Sequence, residues 1–288
     1  MSEDERLDAS AVAVAKAVAV SRRYRAVDPA VVRRLAEEEL PRARSRDDAV
    51  KRVKRRLHQA VGAYRPGGEA GLGRDLERLT AARRDDPSGA ELRTMCRDLL
   101  ARHASTRERL PHLDRFYGGI WDAVGGAPTS LLDLGCGLAP LALPWMGLPT
   151  SARYVAIDAD AAAIALVDGF LALVGQQHAT EVRDLVAPLN ADPADVALLL
   201  KLVPVLDRQH PDAALRLIRG LAVAHVAISF PVRSLGGRRR GMETTYRRRV
   251  DALVAALGPR VRGVQEASIP NELVVVIKLE RAGGLVGA

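Results

Sequence analysis

The sequence predicts an α/β fold, a mostly parallel seven-stranded sheet preceded by a long helical extension. Three observations carry this expectation. The short run Leu131 to Leu134, apolar but for Asp133, leads straight into Gly135-Cys136-Gly137, the pattern of a buried strand ending in a tight turn. A second run, Tyr154-Val155-Ala156-Ile157, ends in Asp158, 23 residues beyond Gly135. From residue 130 onward strand and helix patterns alternate, until a closing pair of strands follows with no helix between its members, which makes that pair antiparallel.

Composition bounds the reading. The 288 residues are enough for one large domain with a substantial extension. Hydrophobic residues make up 48% of the chain and aromatics only 3%, so the core has to be built from Ala, Val and Leu. No apolar run approaches the roughly 20 residues of a membrane span. The acidic opening Met1-Ser2-Glu3-Asp4-Glu5 resembles neither a secretory signal nor a transit peptide. Two cysteines, Cys96 and Cys136, cannot build a metal cluster and are expected as reduced thiols, which points to the cytoplasm. The net charge of +8 is unevenly spread: residues 1–110 carry 25 Lys plus Arg against 18 Asp plus Glu, and the remainder 18 against 17. A basic extension favours an anionic macromolecular partner, nucleic acid first, over a merely solvated helical surface.

In chain order, residues 9–20 alternate Ala and Val around Lys16, and their alanine content tips them toward helix. Asp28-Pro29 marks a helix start, with Asp28 as cap, Pro29 in the first position, and Val31, Val32 and Leu35 on one face. Ser45 caps the next helix, which carries Asp47 and Asp48 in its first turn and Val50, Val53, Leu57 and Val61 on its apolar face. Its opposite face, Lys51, Arg52, Lys54, Arg55 and Arg56, is the main nucleic-acid candidate of the first half. That helix is expected to end near Gly62, before a loop at Tyr64-Arg65-Pro66-Gly67-Gly68, where Tyr64 is either a core anchor or a lid over a planar ligand. Helices follow over about 72–83 and 89–103. Ser105 and Glu108 have the spacing of a capping box, opening a helix through Leu110, Leu113, Phe116, Tyr117, Ile120 and Trp121. Strands are expected near 130–134, 153–157, 180–184, 195–200 and 224–230, with the clearest intervening helix from Ala161 to Val174. The closing pair spans Gly263 to Ile269 and Asn271 to Glu280.

A glycine turn after the first strand lets backbone approach a ligand closely, and an acid about 20 residues on, ending the next strand, is placed to accept hydrogen bonds from ribose hydroxyls. These features indicate a nucleoside cofactor. Gly135-Cys136-Gly137-Leu138-Ala139-Pro140 lacks the third glycine of a pyrophosphate-binding turn, whereas Asp133-Leu134-Gly135 is the pattern of S-adenosylmethionine sites. Five parallel strands closed by a hairpin also suit the seven-stranded class I (Rossmann-like) methyltransferase fold better than a six-stranded dinucleotide domain. S-adenosylmethionine is therefore favoured over a nicotinamide dinucleotide. Ligands of such sheets bind outside the carboxyl ends of the strands, a rule that gathers Gly135, Asp158, Asp184, Leu185, Leu200 and Lys201 on one rim. His103 and Arg109 flank the segment leading to the first strand, where a cation would meet an anionic ligand group.

The stretch from Leu198-Leu199-Leu200-Lys201 to Leu206, together with Ser229-Phe230-Pro231 through Ser234-Leu235-Gly236-Gly237 to Gly241-Met242, resembles the aminoglycoside-resistance 16S rRNA (guanine-N7) methyltransferases of actinomycete producers. His103 to Arg109 and Asn271-Glu272-Leu273 are similar to segments of that family, and the similarity runs from near the amino terminus to about Glu280. The resemblance implies S-adenosylmethionine as cofactor, a decoding-site guanine of the 30S subunit as target, and a set of pocket residues. Gly135 would lie under the methionine, Asp158 on the ribose, and Asp184 with Leu185 at the adenine edge. His103, Ala104, Ser105 and Arg109 would come from the segment before the first strand, with Arg109 facing the carboxylate. Leu200 and Gln209 would line the rim and Tyr64 would cover it. The resemblance further implies a ribosome-docking module over 1–104, a methyltransferase domain over 105–280 and a tail over 281–288, in a monomer whose docking face stays open.

Guanine N7 has an in-plane lone pair and no proton, so methyl transfer to it requires positioning rather than a general base, and no metal. Positive charge moves onto the base, which a nearby carboxylate would stabilise; Glu272 is the candidate. Arg233, Arg238, Arg239 and Arg240, among glycines after the fifth strand, are expected to meet rRNA phosphates. Extruding a helical base costs roughly a few kcal/mol. The rival readings are a methyltransferase for the N1 of a decoding-site adenine, a small-molecule methyltransferase, and a non-catalytic rRNA-binding or assembly factor with a vestigial pocket.

Overall fold

The structure, a computed structural model, describes residues 3–60, 71–86, 88–231, 242–267, 269 and 272–280. One sheet contains β1 Ser130–Leu134, β2 Arg153–Asp158, β3 His178–Val182, β4 Ala194–Leu200, β5 Val223–Pro231, β6 Val261–Ala267 and β7 Glu272–Leu279, in the order β3-β2-β1-β4-β5-β7-β6. The first five run parallel, and β7 lies antiparallel between β5 and β6. β1 has β2 on one side and β4 on the other, so the order reverses at its carboxyl end and a crevice opens there.

The central strands β1, β4, β5 and β7 are mostly apolar and buried because both of their faces are covered, whereas the edge strands β3 and β6 carry polar residues and are half-buried or exposed at nearly every position. In β4, Val196, Leu198 and Leu200 enter one core while Ala197 and Leu199 enter the other. The first face packs under α4 Leu72–Asp85, α5 Ala90–Arg102, α7 Leu113–Val124 and α8 Ala161–Leu173. The second packs under α9 Val203–Gln209, α10 Ala213–Gly220 and α11 Met242–Leu257. α1 Glu3–Ala19, α2 Pro29–Glu39 and α3 Arg46–Ala60 close a third core of their own around Val14, Val18, Val32, Leu35, Val53 and Leu57.

That three-helix unit is tied to the sheet just past β2. The Asp28 N–H donates to the Ala159 carbonyl at 2.7 Å and the Ala161 N–H to the Ala26 carbonyl at 2.8 Å. Asp28 also caps α2, accepting the Ala30 N–H at 2.8 Å, with Pro29 in the first turn as its φ constraint favours.

Ser105 and Glu108 do not form the capping box that their spacing suggests. Ser105 lies within α6, Ala104–Arg107, with its hydroxyl 2.6 Å from His103 Nδ1. The Glu108 carboxylate instead accepts a hydrogen bond from the Lys201 ammonium at 2.7 Å, a charge-assisted contact stronger than one to a backbone N–H. Nor does one helix continue to Trp121. Pro111 occupies a 3-10 turn over Leu110–His112, and α7 begins at Leu113.

Candidate cofactor site

Gly135 and Gly137 take φ values of +66° and +51°, a left-handed turn that directs the chain away from β1. A Cβ on Gly135 would lie 2.6 Å from Leu202 Cδ1, so only glycine leaves this corner open. The Gly135 N–H donates to the Ile157 carbonyl at 2.8 Å, which sets the turn against the end of β2. There Asp158 accepts the Gly137 N–H on Oδ2 at 2.8 Å and the Asp160 N–H on Oδ1 at 2.9 Å. The acid is thereby held at the mouth of the glycine turn.

The crevice above these residues is a solvent-open cavity. Of the sequence-predicted cofactor residues, His103, Ser105, Gly135, Asp158, Asp184, Leu185, Leu200 and Gln209 line it. Ala104 lies in α6 between two lining residues without lining the cavity itself. Tyr64 lies outside the described residues, as do Arg233, Arg238, Arg239 and Arg240.

Arg109 and Glu272 are brought together, but behind the cavity wall. Both are buried, and Arg109 donates through Nε to Glu272 Oε2 at 2.9 Å and through Nη2 to Oε1 at 2.5 Å. The Ser229 hydroxyl donates to the same Oε1, and the guanidinium stacks 4.4 Å over the Phe116 ring. Burial pushes the Glu272 carboxyl up, but Arg109, Lys201 and Ser229 outweigh it and hold the group below the ordinary carboxylate range. Glu272 is thus engaged in holding Arg109 and does not line the cavity.

Lys201 does line the cavity. It sits at φ +60°, unusual for a side chain with a Cβ, directly after β4. Its ammonium donates to the Ser105 carbonyl at 2.9 Å and to Glu108 at 2.7 Å, tying the α6 segment to the carboxyl end of β4.

The basic face predicted on α3 divides in two. Lys51 and Arg55 are exposed and Lys54 is half-buried. Arg52 and Arg56 turn inward, Arg52 to Glu39 at 2.7 Å, and Arg56 to Glu38 at 2.6 Å and the Gln209 carbonyl at 2.5 Å. The sequence reading also missed that α2 and α3 wall the cavity through Val31 and Ala60. It missed Arg34 as well, whose guanidinium reaches Asp184 and Gln209. The local Arg34–Glu38 spacing was the only hint, and it gives no sign of partners so distant in sequence.

A sheet in this order, with a glycine turn after β1 and an acid closing β2, defines a class I S-adenosylmethionine-dependent methyltransferase. The cradle that a Cβ would fill and the anchored Asp158 suit that cofactor. The match extends beyond the sheet, since the family described as Ribosomal RNA methyltransferase (FmrO) matches residues 20–277. The chain belongs to that family.

Among its relatives is the 16S rRNA (guanine(1405)-N(7))-methyltransferase of Frankia casuarinae, 42% identical over 270 residues that cover 92% of each chain. The enzyme of the same name from Micromonospora echinospora is 41% identical over 266 residues, 92% of this chain and 95% of that one. Among solved structures, the 16S rRNA methyltransferase RmtF in complex with S-adenosyl-L-homocysteine superposes with a TM-score of 0.79 at 31% identity, covering 97% of this chain and 100% of that one. The 16S rRNA methylase RmtB gives 0.74 at 27% identity, covering 94% and 98%.

Proposed function

We propose that this protein transfers a methyl group from S-adenosylmethionine to N7 of guanine 1405 in 16S rRNA, within the 30S subunit, and thereby confers resistance to aminoglycosides. The observation that carries this reading is the family match over residues 20–277, which takes in α2 and α3 of the three-helix unit as well as nearly all of the sheet. The cofactor supplies an activated methyl group. The chain's own residues hold and orient: the Gly135 turn accommodates the methionine end, Asp158 accepts from the ribose hydroxyls, and Asp184 with Leu185 meets the adenine edge. His103, Ser105, Leu200 and Gln209 form the remaining walls, with Ala104 in the segment behind them, and Tyr64 covers them. Arg109, held by Glu272 behind the cavity wall, is assigned to the methionine-carboxylate end.

Guanine N7 loses no proton on methylation, so no side chain has to act as a base, and the rate depends on aligning the base in a partly dry pocket. Among the described residues no group of three or more His, Cys, Asp or Glu side chains is arranged to hold a metal. We assign RNA docking to residues 1–104, with Lys51, Lys54 and Arg55 on the outward side of α3, and to Arg233, Arg238, Arg239 and Arg240. Among the described residues no helix is long and apolar enough to cross a membrane. A monomer working on subunits in the cytoplasm fits this assignment.

The test is transfer of labelled methyl to purified 30S subunits, followed by borohydride and aniline cleavage of the rRNA. Scission at guanine 1405 is expected. Incorporation without scission would transfer the assignment to the adenine enzyme, and no incorporation would leave a binding factor.

A further inference from the structure

The three-helix unit does more than stand beside the cavity, because it holds in place the residues assigned to the adenine end. Arg34, on α2, donates through Nε to Asp184 Oδ2 at 2.5 Å and through Nη2 to Asp184 Oδ1 at 3.2 Å. The same Nη2 reaches Gln209 Oε1 at 2.8 Å, and Nη1 is braced by Glu38 at 2.9 Å. Asp184 follows β3 and Gln209 ends α9, so two elements on opposite sides of the crevice converge on one guanidinium supplied by a third. Arg56, on α3, completes the clamp by donating to the Gln209 carbonyl.

The chemistry of this arrangement is specific. A carboxylate on a short side chain rotates about two torsions, and two parallel N–H bonds from one planar guanidinium fix its plane. The Asp184 side chain is only 6% exposed, and the Val186 N–H takes a further share of Oδ1. Its one remaining lone pair, on Oδ2, therefore has a set direction. A carboxylate so directed discriminates a purine carrying an exocyclic amino group, a donor, from one carrying an oxo group, an acceptor.

We infer that Arg34 is a positioning residue for cofactor recognition: from the N-terminal unit it orients Asp184 and Gln209 so that the cavity selects adenine over other purines. The inference rests on the cofactor reading above. Arg34 itself does not line the cavity, so its effect is transmitted through Asp184.

The test is calorimetric titration of the full chain with S-adenosylhomocysteine and with S-inosylhomocysteine, which replaces the exocyclic amino group by oxygen. The wild-type protein is expected to prefer the adenine ligand by about tenfold or more, the value of one hydrogen bond to a charged group. Arg34→Met should weaken S-adenosylhomocysteine binding about tenfold and reduce the preference to within about threefold. Arg34→Lys keeps the charge but cannot span both oxygens, and should recover affinity for the adenine ligand without recovering the preference. A purely structural role would lower both affinities by the same factor, and an unchanged ratio in Arg34→Met overturns the inference. If Arg34→Met does not fold, Arg34→Lys decides alone, and full wild-type discrimination there has the same force. A wild-type chain that binds neither ligand would overturn the cofactor reading and the inference together.

Discussion

Asp133 is 1% exposed beneath the glycine turn. Its Oδ2 accepts the Tyr154 hydroxyl at 2.7 Å, and its Oδ1 has no hydrogen-bond partner among the described residues. Burial pushes its carboxyl up to about 7, against the pull of Tyr154 and Arg109. The unfolded carboxyl titrates near 3.9, so between about pH 4 and pH 7 the unfolded chain releases a proton that the folded chain keeps. Asp133 therefore lowers stability progressively over that interval, and the loss is complete above it. Asp133→Asn should gain stability relative to wild type as pH rises across the same window, with a slope approaching about 1.4 kcal/mol per pH unit. Urea unfolding at several pH values reads this directly, and parallel curves would refute it. The fixed penalty of burying an amide shifts the variant's curve without changing its slope. At this scale the sequence was legible wherever meaning is local. Gly135 and Asp158 stand out because a turn and a strand end lie a fixed distance apart. Arg34 does not, because its partner Asp184 is 150 residues away. Glu108 misled because Lys201, 93 residues on, outcompetes the backbone for its carboxylate.

Among elements, the strands were the most readable, since burial on both faces leaves continuous apolar runs. Their observed bounds differ from the expected ones by a few residues at most. Most helices lie where expected, although the one read through to Trp121 is interrupted at Leu110–His112; the apolar face of α2 was legible, and the charged face of α3 was not. α3 has the composition of one basic face, yet Arg52 and Arg56 at i and i+4 turn toward Glu38 and Glu39 while Lys51 and Arg55 face solvent. Acidic residues on α2 make that choice, and nothing within α3 announces it. The turn joining β1 to the rest of the chain has the least freedom of any connection at the crevice. Gly135→Ala would force a side chain into a left-handed conformation costing about 1–2 kcal/mol and against Leu202. Calorimetry should find S-adenosylhomocysteine binding weakened by more than about tenfold, because the turn moves into the cavity to relieve the clash. A variant that binds normally would show that the turn has slack.

For the molecule as a whole, charge asymmetry separated a basic front part from the sheet domain but could not show how the two meet. Packing shows it: α1 to α3 keep a core of their own, whereas Leu79 of α4 and Leu92, Cys96, Leu99 and Leu100 of α5 enter the core on the sheet's first face. The cavity is completed where the three-helix unit meets the rim, through contacts that no local pattern encodes.

The place of β7 has a consequence for how the chain is made. Among the described residues β6 pairs with β7 alone, and β7 joins it to β5, so β6 enters the sheet only once β7 is in place. β7 also brings Glu272, the partner of Arg109 across 163 residues. The sheet therefore closes, and the buried guanidinium is neutralised, only after residues 272–279 have been made. A chain halted before Glu272 should lose two strands rather than one and leave Arg109 without its counter-charge, a defect of about 3–5 kcal/mol on its own. Limited proteolysis should cut such a product at residues 261–267 as readily as an unfolded peptide, and protection of that segment would show that β6 finds its place without help.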